Sequence, residues 1–209
     1  MVTCQAILLV TRARIGTMSD LPSWYPGTES KPAPMPLVRV QAFLNTVDID
    51  DEIDLLAEPA AARDWLTAAG LLEPGSQATD ADLELAREVR DCLRSVLEVG
   101  GDGPQRAAED LGALRKLTAE HSARLTVGDG GALGLACSGN DDLGDGLFEL
   151  LLIIRAAQVD GSWSRLKMCA NPDCQWVFYD RSRNQQGNWC NMAVCGNRLK
   201  NRQLRARRR

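Results

Sequence analysis

Residues 169–174, CANPDC, and residues 190–195, CNMAVC, repeat one spacing: two cysteines four residues apart, with fifteen residues between the pairs. Four thiolates fill a tetrahedral shell and leave no position for water, so Cys169, Cys174, Cys190 and Cys195 predict a structural metal centre rather than a catalytic one. One zinc ion is expected, although four cysteines also suit iron and iron–sulfur centres. LKM before Cys169 and QWVFY after Cys174 read as short strands, and Asn-Pro-Asp between the cysteines has the chemistry of a turn, so the first pair sits on a hairpin knuckle. On a helix the second pair would diverge by about 140°, so one member must precede the helix. Asn191 reads as an N-cap, which places Cys190 just outside, Met192 at the first helical position and Cys195 within. Hairpin and helix together predict a small treble-clef-like finger over 163–209.

After Cys195 the chain runs GNRLKNRQLRARRR, in which only Gly196 opposes a helix continuing to the last residue. At about 100° per residue, Arg198, Arg202, Arg205 and Arg209 fall within a wedge of about 60°, beside an apolar strip of Met192, Leu199 and Ala206. One strip can pack on the hairpin while the other faces phosphate. Arg181 and Arg183 in the preceding loop, with Lys200, Arg207 and Arg208, complete the candidate nucleic-acid contacts.

The charge distribution agrees. The chain carries a net charge of -4, yet residues 163–209 hold 11 Lys and Arg against Asp173 and Asp180, while residues 1–162 hold 13 basic and 26 acidic side chains. Such asymmetry points to a polyanion partner for the basic end. At 44% hydrophobic and 25% charged, the composition is that of a globular protein. The longest apolar run, LFELLLII, is too short to span a bilayer, and the opening residues lack the pattern of a secretory signal, so a cytoplasmic location is expected. Seven cysteines without that signal argue against a disulfide framework.

Upstream of the finger the pattern is helical. Proline-rich residues 1–36 predict a mobile leader. Leu37, Val40, Leu44 and Val47 recur at helical spacing; a second helix is expected over 59–69, stopped by Gly70. Thr79 with Asp82 resembles a capping box before a long helix that carries Cys92 on its buried side. A fourth helix is expected over 104–121, ending on the lone histidine, His121, read as a surface residue complementing the helix dipole. RLTVGDGGALGLAC predicts a β-hairpin, and a last helix spans about 142–159. The acidic stretches DIDDEID and GNDDLGDG read as solvated turns and helix starts. The fold class expected is mainly α: a helical domain over 37–162 with one β-hairpin, followed by the finger.

CANPDCQWVFYDRSRN followed by WCNMAVCGNRLKNRQLRARRR resembles the CGNR zinc finger family, whose tetrapeptide stands here as Cys195, Gly196, Asn197 and Arg198. AFLNTVD and WLTAAGLL resemble the start of the ABATE domain that precedes this finger. The resemblance implies a helical regulatory domain fused to a C-terminal zinc finger, acting in stress-induced transcription regulation. It carries the metal-ligand role to the four cysteines and the DNA-contacting role to Arg198 and the basic residues after it.

The expected function is therefore a transcription regulator binding double-stranded DNA, with dimerisation or a small-molecule effector assigned to the helical domain. Two other readings stand beside it: a zinc-dependent protein-interaction module docking on an acidic partner, and an RNA-binding accessory factor. An enzyme is not expected, because a closed metal shell and one unsupported histidine provide no acid, base or nucleophile set.

Overall fold

Every residue of the first helix, α1 (Leu37–Leu44), is buried, Arg39 and Gln41 included. A single-faced helix would leave half its surface to water; α1 instead lies at the centre, touched by two later helices and by a strand of the finger hairpin. Its polar side chains find partners inside: Arg39 donates to the Gly70 carbonyl at 2.8 Å, and its other terminal nitrogen, without a hydrogen bond, faces the Glu149 carboxylate at 3.3 Å. The computed structural model describes residues 24–25, 31–76, 78–99, 111–139 and 142–198.

The chain then forms a minimal antiparallel hairpin, β1 (Val47–Asp48) with β2 (Ile53–Asp54), so Val47 opens a strand instead of closing the helix. DIDDEID is thus the tip of this hairpin rather than a turn leading into a helix. α2 (Pro59–Ala68) begins on its proline and stops at Gly70, whose φ of 67° a side chain would oppose. α3 (Asp80–Val99) starts in a reciprocal cap: the Thr79 N–H donates to the Asp82 carboxylate at 2.8 Å, and the Asp82 N–H to the Thr79 hydroxyl at 3.2 Å. Cys92 is buried on it, as expected.

α4 (Gly112–Glu120) is the described part of the helix expected over 104–121; residues 100–110 lie outside the described residues. β3 (Ala123–Val127) and β4 (Leu133–Cys137) pair antiparallel across the Asp-Gly-Gly turn. α5 (Leu143–Asp160) opens on Asp142, whose side chain caps the Asp145 N–H, and ends at Gly161 with φ 79°. β5 (Leu166–Met168) and β6 (Val177–Tyr179) form the finger hairpin, with Leu166 opposite Tyr179 and Met168 opposite Val177. Among the described residues, no helix is long and apolar enough to cross a membrane.

The packing does not stop between helices and finger. Leu166, Val177 and Tyr179 belong to the same buried cluster as Leu37, Phe43, Leu83 and Leu147. Residues 31–36, assigned by composition to the leader, are held against the finger. The Lys31 carbonyl accepts from the Tyr179 N–H at 3.0 Å, and the Pro32 carbonyl accepts from Arg181 at 2.7 Å. Ala33 is buried. Proline content made this stretch look unstructured, but backbone carbonyls beside a strand edge find donors whatever the side chains are. The rest of the expected leader, residues 1–23 and 26–30, lies outside the described residues.

Candidate metal centre and nucleic-acid face

The knuckle is built by backbone geometry. The Cys169 N–H donates to the Trp176 carbonyl at 2.9 Å, extending the β5–β6 ladder by one pair, and the Asn171 carbonyl closes the turn by accepting from Cys174 and Gln175 at 2.9 and 3.0 Å. Gln175 takes a left-handed φ of 52° there, and Arg94 of α3 holds its carbonyl at 3.1 Å. The Ala170 N–H donates to the Asn188 carbonyl at 2.9 Å, which brings the segment before Cys190 alongside the knuckle.

The second pair divides as the spacing demands. Asn191 caps a turn over Met192–Gly196, accepting from the Ala193 N–H, so Cys190 stands ahead of the turn and Cys195 on it. The turn is wider than an α-helix: the Asn191 carbonyl accepts both from Cys195 at 2.9 Å and from Gly196 at 3.3 Å. Gly196 lets Met192 and Trp189 close over this turn, because a Cβ there would lie 2.4 Å from the Met192 sulfur and 3.3 Å from Trp189 Cδ1, so the methionine would have to swing aside.

All four sulfurs lie within 4.8 Å of one another. Cys174 and Cys190 are separated by 3.7 Å, and Cys190 and Cys195 by 3.6 Å. A tetrahedral centre with Zn–S bonds of about 2.3 Å requires sulfur–sulfur edges of about 3.8 Å, so the donor set fits zinc in both chemistry and spacing. Asn171, fully buried, points its amide at the Cys195 sulfur at 3.9 Å, a hydrogen bond that supports a thiolate there. Thiol hydrogen bonds from Cys174 and Cys190 hold the Cys169 sulfur far below the ordinary thiol range, while sharing with Cys169 pushes Cys174 and Cys190 up. Side by side, four negative charges are unfavourable; a divalent ion held by Cys169, Cys174, Cys190 and Cys195 would replace the shared protons and stabilise all four as thiolates.

A family model described as "Putative stress-induced transcription regulator", ABATE, matches residues 38–159, and the CGNR zinc finger model matches residues 165–208. The chain belongs to the ABATE family. No curated protein matches it. In this ABATE protein the finger match begins at Arg165, inside the region that shares the helical core.

The sequence-predicted contact residues fare unequally. Arg198 follows directly from the cysteine turn, is 54% exposed, and sets its guanidinium on both oxygens of Asp50 at 3.0 and 2.6 Å. Arg183 is exposed. Arg181 spends its guanidinium on the Pro32 carbonyl, a structural role its sequence context did not suggest. Lys200, Arg202, Arg205, Arg207, Arg208 and Arg209 lie outside the described residues, as does the expected continuation of the helix. Of the finger's aromatics, Phe178 and Tyr179 are buried and Trp163, Trp176 and Trp189 half-buried, with Tyr179 and Trp163 packed into the shared helical core.

Two features of the ABATE chain had no signal in the sequence. Asp180 organises the loop after β6, accepting from the Ser182 and Gly187 N–H groups at 2.9 and 2.7 Å and from Lys167 at 3.0 Å. Burial alone would raise its pKa, but these hydrogen bonds outweigh burial and hold the carboxyl well below the usual range. His121, expected on the surface, is instead mostly buried, with Nδ1 2.8 Å from Asp145. Helix-end position predicted exposure; the packing of α5 across the end of α4 decided otherwise.

Proposed function

We propose that this ABATE protein is a transcription regulator whose zinc finger binds double-stranded DNA, with one structural Zn2+ held by Cys169, Cys174, Cys190 and Cys195. One observation carries the reading: Arg198, rooted on the Cys195 turn and exposed, already pairs with an anion, reaching both Asp50 oxygens from one guanidinium nitrogen in a charge-assisted contact of the kind a phosphate oxygen also accepts. Six further Lys and Arg residues follow Arg198, all of them in the last ten positions. The knuckle and the capped turn are the two halves expected of a treble-clef-like finger. Fluorescence anisotropy with mixed duplexes tests the proposal: with about five cations on phosphate, log affinity falls with log salt at a slope near -4 to -5. A slope near zero would remove the DNA reading.

The same contact favours a second reading, a protein-interaction module, because the partner Arg198 holds here is an acidic protein turn. An acidic peptide that outcompetes duplex DNA at equal charge would rank that reading first, and preferred binding of single-stranded RNA would rank the accessory-factor reading first. In each case the chain acts by binding, from the cytoplasm, without catalysis.

Dimerisation suits a palindromic site. The β3–β4 ribbon offers a surface for it: Leu125, Val127 and Leu133 are each 72% exposed and Leu135 40%, all on one uncharged face that can meet its own copy across a two-fold axis. Four aliphatic side chains provide less than the roughly 800 Å2 per partner of a stable complex, so association is expected to be concentration-dependent in sedimentation and weakened by Leu125→Ser.

A further inference from the structure

We propose that His121, Cys137, Asp142 and Asp145 form a second transition-metal site, separate from the four-cysteine centre and suited to a borderline dication of the zinc class. The four side chains come from three elements: His121 follows the last residue of α4, Cys137 ends β4, and Asp142 and Asp145 occupy the cap and first turn of α5. The ligand atoms of His121, Asp142 and Asp145 lie within 4.8 Å of one another. Asp145 Oδ1 is 2.8 Å from His121 Nδ1 and 3.1 Å from the Cys137 sulfur.

The convergence is built into the backbone. A Cβ on Gly139 would lie 1.8 Å from Asp145 Oδ1, and one on Gly144 would lie 2.5 Å from His121 Nε2, so the donors meet only because both positions lack side chains. Asp145 is 7% exposed and the His121 side chain 14%, so these two donors lie where a cation gains more from each ligand than at a wet surface, while Asp142 is exposed at the rim.

One nitrogen, one sulfur and two carboxylate oxygens are a tetrahedral zinc set. The present separations of 2.8 and 3.1 Å are those of groups sharing protons. With bonds of about 2.0–2.3 Å, His121 and Asp145 must spread by about half an ångström, while the Cys137 sulfur, close to Asp145 but not within 4.8 Å of all three other donors, must swing in by a side-chain rotation. A bound ion would require the Cys137 thiol proton to pass to solvent and the His121 imidazole to present an unprotonated Nδ1, with its N–H on Nε2. Burial, with Asp145 beside it, pushes the Cys137 thiol up to about 11, so without a cation it is a protonated thiol and no nucleophile.

The consequence is mechanical. An ion there ties the end of α4, the root of the apolar ribbon and the start of α5 together, making the helical domain responsive to metal supply independently of the finger.

The test is metal stoichiometry of the full chain, saturated with Zn2+, desalted and measured by elemental analysis alongside far-UV circular dichroism. Two equivalents are expected for the native sequence, one for Cys137→Ala and one for His121→Ala. Cys190→Ser/Cys195→Ser should also retain one, and with Co2+ should give the weaker sulfur charge-transfer band of a single thiolate. Because His121→Ala removes a buried partner of Asp145, Cys137→Ala is the deciding variant where His121→Ala is poorly folded. One equivalent in the native chain, unchanged by Cys137→Ala and abolished by Cys190→Ser/Cys195→Ser, overturns the second site and leaves the four-cysteine centre standing.

Discussion

Asn45 and Val177 exchange two hydrogen bonds of 2.8 Å: the Asn45 amide donates to the Val177 carbonyl, and the Val177 N–H donates to the Asn45 side-chain oxygen. A side chain at the end of α1 thereby acts as a neighbouring strand would toward β6. Gln41 adds a third bond to the same carbonyl at 3.1 Å. Both partners are buried, so the contact fixes the finger hairpin on the helical body without help from water.

Replacing Asn45 with leucine is expected to cost about 2–4 kcal/mol, because the Val177 N–H is left buried without an acceptor and its carbonyl keeps only Gln41. Urea denaturation of zinc-saturated protein measures it. Asn45→Asp should cost less at the N–H and more at the carbonyl, which then faces a carboxylate. A change below about 0.5 kcal/mol for Asn45→Leu would mean that the hairpin is not held through this pair.

Arg90 takes both oxygens of Asp54, at 2.6 and 3.0 Å, with Arg90 4% and Asp54 27% exposed. Burial raises the Asp54 pKa, but hydrogen bonds from Arg90 and the Leu56 N–H overcome it and hold the carboxyl below its ordinary value. A depressed folded pKa stabilises above the unfolded value, near 4, and that stabilisation is lost as pH falls through the folded value. Asp54→Asn should therefore lose about 2–4 kcal/mol at pH 7, and its gap to the native sequence should narrow below about pH 4. A gap that stays constant to pH 3 would contradict the ion pair. Taking the difference between the two proteins cancels any acid release of metal common to both.

Metal removal should unmake the terminal turn but not the body. The β5–β6 hairpin shares the core of α1 and α5 and is tied by Asn45, Gln41 and Arg94. Only Cys190 and the turn that carries Cys195 rely on the sulfurs for their position. Cys195→Ser is expected to abolish binding at this centre and to shift Trp189 fluorescence, with the far-UV helical signal nearly unchanged. Parallel loss of helix and metal would show that the finger is the keystone of the whole fold.

Asp50 occupies the guanidinium that the proposed DNA contact requires. Asp50→Asn should raise duplex affinity by about two- to five-fold at low ionic strength, the range expected of an exposed ion pair, and the gain should shrink as salt is added. Binding isotherms at several salt concentrations report it. Unchanged affinity would place Arg198 outside the nucleic-acid interface, whatever the remaining basic residues do.

Much of this protein was legible along the chain because the signals are local. Spacing alone paired Cys169 with Cys174 and Cys190 with Cys195, and Asn191 announced the cap between the last two. Thr79 with Asp82, Pro59, Gly70 and Gly161 marked helix ends because capping and positive φ depend on a few neighbouring residues. What no periodicity could state is which distant groups meet. Arg39 and Gln41 look like the wet side of α1 until β6 and α5 cover it. His121 looks exposed until Asp145, 24 residues on, comes beside it. The acidic turn at Asp50 finds Arg198 across 148 residues. Sequence determined most of the elements and the four-cysteine cluster, since both are set within a turn or two of chain. Tertiary structure alone decided that finger and helices share one core, because a buried polar group takes its partner from whatever the packing delivers.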